Sequence, residues 1–177
     1  VIFNSDGTKR DVSILQFSNV PDIVTYPCVD FLLWDLFNYC KHINSRESTP
    51  HVVVLDEFQN LSLGNDSPVR KYLQEGRKFG LNLILATQTL AGIKQKDGHD
   101  AVASLFNAAN ILIFKPTPPD IKFVAQNAAL LDPSHSTEEW ENILTLLNKG
   151  ECILFTLSSS SNRIVGRKIK ITSMEER

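Results

Sequence analysis

Four short apolar segments, each separated from the next by a segment of helical periodicity, constrain the fold of this 177-residue chain more than any other feature. They hold few polar residues, which is typical of strands covered on both faces. Strands that alternate with helices predict an α/β fold with a mainly parallel sheet and helices on both faces, formed as a single domain over residues 1–177. The predicted strands are Val52–Leu55, Leu81–Ala86, Ile111–Phe114 and Cys152–Leu157.

The segments between these strands carry helix signals. Val29–Ile43 is apolar nearly all round, which predicts a well-buried helix. Ser67 and Pro68 are typical of an N-cap and a first helical position, and Ser136 with Glu139 forms a capping-box pattern. The predicted helices after Val29–Ile43 are 67–79, stopped by Gly80, then Ala101–Ala109, Pro119–Leu130 and one from Ser136 to about Lys149, stopped by Gly150.

The remaining segments are predicted to be edge strands and loops. Val12–Phe17 has the pattern of a short strand, and Arg163–Ile171 that of a final edge strand in an antiparallel C-terminal hairpin. The stretches 44–50, 92–100 and 115–119 are predicted loops, since they are polar or rich in proline.

Composition excludes several classes of function. The net charge of −2 gives no overall attraction to nucleic acid or to an anionic membrane. No apolar run approaches the ~20 residues of a membrane helix, so no membrane contact is expected. The three cysteines fit no metal motif, and residues 1–15 carry no signal-peptide pattern, so we expect a reducing, cytoplasmic location. Because the chain begins with Val1, we expect it to be part of something longer.

Two adjacent acids, Asp56 and Glu57, follow directly on the strand Val52–Leu55. Ligands bind beyond the carboxyl ends of the strands in open parallel sheets. One carboxylate there can hold Mg²⁺ through its water shell, and the next can orient a water for attack on a phosphoryl group. Gln88 ends the next strand and can hydrogen-bond to both water and phosphate. The alternative is that these residues are solvated strand ends.

Taken together, the segments VVVLDEFQNL, GRKFGL, LILATQ and ILIFKP resemble the HerA/FtsK superfamily of DNA-translocating P-loop ATPases in order and spacing. The resemblance covers about Val52 to Phe155 and implies a RecA-like core, ATP and Mg²⁺ as cofactors, DNA as a partner and a hexameric ring of copies. It implies that Asp56 is the Mg²⁺-associated acid of Walker B, Glu57 the catalytic base and Gln88 the sensor.

The same resemblance makes Arg77 a candidate arginine finger, which would reach the nucleotide of a neighbouring subunit. A guanidinium supplied in this way neutralises charge that develops in the transition state. The alternative is a surface residue beside Lys78. The length and style of the segment also resemble the HerA-like component DptH of DNA phosphorothioation-dependent restriction, which implies partners in DNA processing or defence.

One departure from the superfamily is decisive for activity. No G-x-x-x-x-G-K-[ST] sequence is present among these residues, and the eight glycines are scattered. The chain therefore resembles the C-terminal part of an ATPase core without its P-loop, and we expect these residues alone to be inactive.

Lys94 and Lys96 follow the sensor strand and could contact DNA phosphates, whereas nearby Asp97 and Asp100 favour an ordinary solvated loop. Two other hypotheses stay open. One is a non-catalytic ATPase-like module for assembly or partner recognition, and the other is an α/β enzyme, such as a nuclease, that uses Asp56 and Glu57 without ATP.

Overall fold

A computed structural model describes residues 12–17, 19–42 and 50–171 of the chain. These described residues form six α-helices and five strands. The helices are α1 (Asp22–His42), α2 (Pro68–Glu75), α3 (Ala91–Asp97), α4 (His99–Leu105), α5 (Pro118–Leu131) and α6 (Thr137–Thr145). The strands are β1 (His51–Leu55), β2 (Leu81–Leu85), β3 (Asn110–Ile113), β4 (Glu151–Leu157) and β5 (Ile164–Lys170).

The strands form two small sheets. β1 and β2 pair in parallel, with His51 opposite Leu81 and Leu55 opposite Leu85. β3, β4 and β5 form a second sheet in that order, and both of its pairings are antiparallel. The α/β class and the C-terminal hairpin are thus confirmed. The prediction of a mainly parallel sheet is wrong for the described residues, because an apolar pattern identifies strands without giving their direction.

Each strand of the parallel pair buries only one face within this chain. Val53 and Leu83 pack against the core, whereas Val54 and Ile84, which are opposite each other, are 62% and 53% exposed. Leu112 of β3 is half exposed as well. The prediction of strands covered on both faces is therefore wrong for β1, β2 and β3, since a continuous apolar run does not say what covers its second face. It holds for β4, where the adjacent residues Cys152 and Ile153 are both buried.

Helix α1 differs from its prediction in the same way. It begins at Asp22 rather than Val29 and buries Leu33, Phe37 and Cys40 along one face. Phe31 on the opposite face is 75% exposed. Helix α1 therefore carries apolar residues on all sides but buries only one side within the described residues. Its predicted last residue, Ile43, and the loop residues up to 49 lie outside the described part of the chain.

The capping signals are confirmed. The Ser67 hydroxyl accepts a hydrogen bond from the N–H of Arg70, and Pro68 starts α2. After Glu75 the chain tightens into a 3₁₀ turn, Gly76–Phe79, which ends at Gly80 with a left-handed φ of 70°. Ser136 and Glu139 form the predicted capping box, although α6 ends at Thr145, before Lys149.

Two local predictions are wrong. Residues 12–17 form no strand and are mostly exposed. The predicted loop 92–100 is largely helical, because α3 and α4 follow each other with only Gly98 between them, at a φ of 85°. Ile93 on α3 is fully buried, and this apolar anchor outweighs the polar composition of the segment.

The core has two parts. One lies among α1 to α4 and the sheet β1–β2, and the other lies among α5, α6 and the antiparallel sheet. Leu90 and Phe106 pack against both. No helix among the described residues has the length and apolar character needed to cross a membrane.

The second part of the core is closed by a buried contact between the α5–α6 turn and β5. The Asp132 carboxylate, 8% exposed, accepts a hydrogen bond of 2.7 Å from the N–H of Gly166, and the indole N–H of Trp140 donates to the Asp132 carbonyl oxygen. Burial works to raise the pKa of Asp132, but the hydrogen bonds from Gly166 and Ser134 outweigh it and hold that pKa below its usual value.

We predict that Gly166→Ala destabilises the fold. A Cβ at Gly166 would lie 2.7 Å from Trp140 Cη2 and 3.0 Å from Phe155 Cε1, and both rings are almost fully buried. The expected loss is about 1–3 kcal/mol, as for other overpacked cores. Chemical denaturation measures the free energy of unfolding. Gly92→Ala is the control, because nothing lies within 4 Å of a Cβ there and α3 should tolerate alanine. Equal stability of the two variants would contradict this account of the packing.

Candidate functional site

The parallel pairing of β1 and β2 brings their carboxyl ends to one edge. The ladder continues just beyond the strands, since the N–H of Ala86 donates to the Leu55 carbonyl and the N–H of Phe58 donates to the Ala86 carbonyl. The residues that follow each strand are therefore held side by side, which places Asp56 and Glu57 next to the segment that carries Gln88.

Glu57 and Gln88 are in direct contact across this edge. The side-chain amide Nε2 of Gln88 donates to Glu57 Oε1 over 2.9 Å, although 31 residues separate them in sequence. Asp56, Glu57 and Gln88 are all exposed. The structure thus brings together three of the residues that the sequence indicated, at a surface that a ligand can reach.

Glu57 adopts a left-handed backbone conformation, with φ 51° and ψ 39°. Such a conformation costs a residue with a Cβ roughly 1–2 kcal/mol. Asp56 Oδ1 accepts the N–H of Glu57 over 2.9 Å and so supports this turn. The two adjacent carboxylates consequently have different local roles, because that of Asp56 braces the backbone while that of Glu57 contacts Gln88.

A second layer of polar residues, which no sequence motif indicated, supports this edge. The Thr87 hydroxyl lies 2.8 Å from both Gln59 Oε1 and the Thr89 carbonyl oxygen. Because a hydroxyl has one hydrogen, it can donate to only one of them at a time. The only sequence signal for Gln59, Thr87 and Thr89 was their position next to the two acids and to Gln88. That signal is weak, because polar residues are common after a strand.

Asp120, at the start of α5, is also part of this layer. Its Oδ2 atom accepts hydrogen bonds from the Thr89 hydroxyl, the Leu90 N–H and the Thr117 hydroxyl at 2.8–3.0 Å. The segment that follows Gln88 is therefore fixed to α5.

The predicted DNA-contacting lysines have partners within the chain. Lys96 Nζ donates to the Asn60 carbonyl over 3.0 Å, and Lys94 Nζ lies 5.6 Å from the centre of the Phe123 ring. Asp97 accepts hydrogen bonds from the Ser62 hydroxyl and the Leu63 N–H. Helix α3 thus holds the loop that follows Glu57, which is a structural use of Lys96 that the sequence did not suggest.

Arg77 lies apart from the other predicted residues. It belongs to the 3₁₀ turn before β2, at the amino end of that strand, whereas Gln88 follows its carboxyl end. A strand of five residues spans about 16 Å at ~3.3 Å per residue. Within one chain Arg77 is therefore not brought to the edge that carries Glu57 and Gln88.

The donor set fits a loosely held magnesium ion better than an enclosed metal site. No group of three or more His, Cys, Asp or Glu residues that could hold a metal occurs in the described ranges. Exposed carboxylates such as Asp56 and Glu57 suit Mg²⁺, which prefers oxygen ligands and keeps much of its water shell. These 177 residues contain no P-loop sequence that could hold the phosphates of a nucleotide.

Comparison with known families gives one match. Residues 50–131 match a family described as "TraM recognition site of TraD and TraG". The matched region contains β1, β2 and α3 to α5, and so all of the candidate residues. A search of curated proteins finds no significant match.

Solved structures that share the fold include VirB4 and a viral packaging NTPase. VirB4 of Thermoanaerobacter pseudethanolicus superposes with a TM-score of 0.63 at 17% identity, over 90% of this chain and 41% of VirB4. The genome packaging NTPase B204 from Sulfolobus turreted icosahedral virus 2, in complex with AMPPCP, gives a TM-score of 0.50 at 18% identity, over 81% of this chain and 63% of B204. B204 in complex with ATP-gammaS gives 0.52. The chain thus spans less than two thirds of either protein.

These matches do not support the link to restriction or defence. They support a coarser statement. The chain shares a fold with part of VirB4 and of the packaging NTPase B204, and its residues 50–131 are similar to the family described above.

Proposed function

We propose that this chain is the part of an ATP-driven motor of HerA/FtsK type that carries the Walker B acids and the sensor, and that the full-length protein couples Mg-ATP hydrolysis to movement on DNA. The observation that supports this most directly is the contact between Glu57 and Gln88 at the carboxyl ends of two parallel strands. Polar groups placed at this edge of an open α/β sheet are in the usual position for a ligand.

The residues at this edge would divide the chemistry. Bound Mg²⁺ would neutralise charge on the phosphates. Asp56 would hold the ion through its water shell. Glu57 would orient the attacking water and accept its proton, and Gln88, held by Glu57, would contact the water or a γ-phosphate oxygen. Because this catalysis depends on positioning, the fixed turn at Glu57 is the feature that makes the acid suitable.

The exposed apolar sheet face supports the proposal that the motor needs further chain. Val52, Val54 and Ile84 are each more than half exposed, although they lie in the paired strands β1 and β2. In a complete RecA-like core the phosphate-binding loop would come from sequence outside these 177 residues. We therefore expect these residues alone to be inactive towards ATP.

Arg77 would act between subunits. Its position at the amino end of β2, at the opposite edge from Glu57, suits a head-to-tail ring in which it serves the nucleotide of a neighbour. Such an interface is heterologous, and it closes when the rotation between subunits permits. The proposed ring is a hexamer.

DNA would be held by sequence-independent contacts to its phosphates. Lys94 and Lys96 lie on α3, but Lys96 already binds the Asn60 carbonyl and Lys94 lies over Phe123. Their contribution would therefore be small beside that of basic groups elsewhere in the full-length protein.

A second function, partner recognition, is favoured by two observations. The matched family is described as a recognition site for TraM, and α1 exposes Ile23 and Phe31 on its outer face. In this alternative the ATPase-like fold would be a non-catalytic module that docks a protein partner.

We predict that Glu57→Gln lowers Mg²⁺-dependent ATP turnover by the full-length protein by about 100-fold or more, as expected for loss of a general base. The amide keeps the size of the side chain and removes its basicity. Turnover is measured as phosphate release, with and without duplex DNA, and DNA should stimulate the wild type.

Glu141→Gln is the matched control, because Glu141 lies on α6, away from this edge. It should leave turnover within twofold of wild type. Wild-type protein without turnover, or equal turnover in wild type and Glu57→Gln, would exclude the proposed motor and favour the partner-recognition module.

We predict further that Arg77→Ala abolishes turnover, and that the loss arises at the site of the neighbouring subunit. Arg77→Ala protein and Glu57→Gln protein should each be nearly inactive alone, and mixing them should restore turnover, because an Arg77→Ala subunit keeps Glu57 and can receive Arg77 from a Glu57→Gln neighbour. Lys78→Ala, which changes the adjacent basic residue, is the control and should leave turnover within twofold of wild type. A mixture no more active than either variant alone would contradict a role for Arg77 between subunits.

A further inference from the structure

Asp120 is a buried acid outside the three residues of the proposed site. It lies in the first turn of α5 and is 6% exposed. Its Oδ2 accepts from the Thr89 hydroxyl at 3.0 Å, the Leu90 N–H at 3.0 Å and the Thr117 hydroxyl at 2.8 Å. Two of these donors belong to a segment 30 or more residues earlier in the chain. The carboxylate also lies where the dipole of α5 favours negative charge.

The two donors from that segment directly follow Gln88. Strand β2 ends at Leu85. The backbone hydrogen bonds that join this strand to β1 and the residues after it end at the Ala86 carbonyl, which accepts from the Phe58 N–H. Beyond this point Thr89 and Leu90 are fixed through Asp120 rather than through a sheet. The position of Gln88 therefore depends on Ala86 before it and on Asp120 after it.

A continuous set of contacts leads from Asp120 to Glu57. Asp120 binds Thr89, the Thr89 carbonyl lies 2.8 Å from the Thr87 hydroxyl, and Gln88 between them donates to Glu57 Oε1. Asp120 belongs to α5, which packs in the second part of the core. The sensor segment is thus fixed to a different part of the molecule from the one that carries Glu57.

We infer that Asp120 is a positioning residue that holds the Thr87–Leu90 segment so that Gln88 meets Glu57. The expected effect of Asp120 on ATP turnover rests on the proposed function, whereas its expected effect on the order of the Thr87–Leu90 segment does not. Small displacements of groups that act by position reduce rates steeply, by as much as 10²-fold for about 1 Å. The inference therefore concerns kcat rather than nucleotide affinity.

The chain offers a matched control. Asp132 is also a buried carboxylate, 8% exposed, that accepts backbone N–H bonds from Gly166 and Ser134, but it lies between α5 and α6 and contacts none of the proposed site residues. Asp120→Asn and Asp132→Asn are equally conservative and weaken hydrogen bonds of the same kind. Any general loss of stability should affect both variants.

The experiment measures two quantities on the full-length protein. Amide hydrogen exchange is followed by mass spectrometry for segments 86–91 and 164–168, and ATP turnover gives kcat and KM. Asp120→Asn should raise exchange in 86–91 alone and lower kcat by about 10-fold or more, with KM within threefold. Asp132→Asn should raise exchange in 164–168 alone and leave kcat within twofold.

A second pair of variants covers the case in which Asp120→Asn fails to fold. Thr89→Val and Thr117→Val each remove one hydroxyl donor to the same Asp120 oxygen, but only Thr89 belongs to the sensor segment. Thr89→Val should lower kcat by about threefold or more, since it loosens the segment directly. Thr117→Val should leave kcat within twofold.

The outcomes separate this inference from the proposed function. If the wild type turns over ATP and the variants Asp120→Asn and Asp132→Asn have equal kcat, the inference is overturned while the motor stands. If the wild type has no turnover, the proposed function fails, and hydrogen exchange alone then tests the positioning role of Asp120. Faster exchange in 86–91 for Asp120→Asn then supports the positioning role, and unchanged exchange overturns it.

Discussion

The parallel ladder between β1 and β2 is the constraint on which the rest of the structure depends. Its register places Val53 and Leu83 on the core side and carries both strands to a common edge. Because side chains alternate along a strand, a slip of one residue would turn the core residues outwards. The same slip would also separate Glu57 from Gln88. The pairing of β1 with β2 therefore sets both the packing of the first part of the core and the geometry of the proposed site.

Buried carboxylates join the loops that this ladder does not reach. Asp120 connects the end of β2 to α5, and Asp132 connects the α5–α6 turn to β5. Breaking such a network leaves buried donors without partners, which costs about 1–3 kcal/mol for each group. These residues therefore specify how the two parts of the core meet, in addition to the apolar contacts of Leu90 and Phe106 with both.

The sequence predicted features that depend on residues close together in the chain, and it did not predict those that depend on residues far apart. The caps at Ser67 and Ser136 depend on residues three positions away, and both were predicted. The antiparallel pairing of β3 with β4 and the role of Asp120 depend on contacts between residues about 30 to 46 positions apart. No local pattern encodes these. The contact of Gln88 with Glu57 is also long-range. The sequence predicted only that each of these residues follows a strand, and their contact comes from the parallel pairing of those strands.

The backbone of Glu57 bears on whether this edge is functional. A left-handed φ of 51° favours glycine, yet this position holds a glutamate whose described side-chain hydrogen bond is an exposed one, to Gln88. An exposed bond of that kind contributes about 0.5–1.5 kcal/mol, which barely offsets the strain. Stability alone therefore gives little reason for a glutamate here, which agrees with the functional role proposed for Glu57. Arg77 lies at the other edge of the strand pair. In the proposed motor, head-to-tail assembly would bring Arg77 of one subunit to Glu57 and Gln88 of its neighbour.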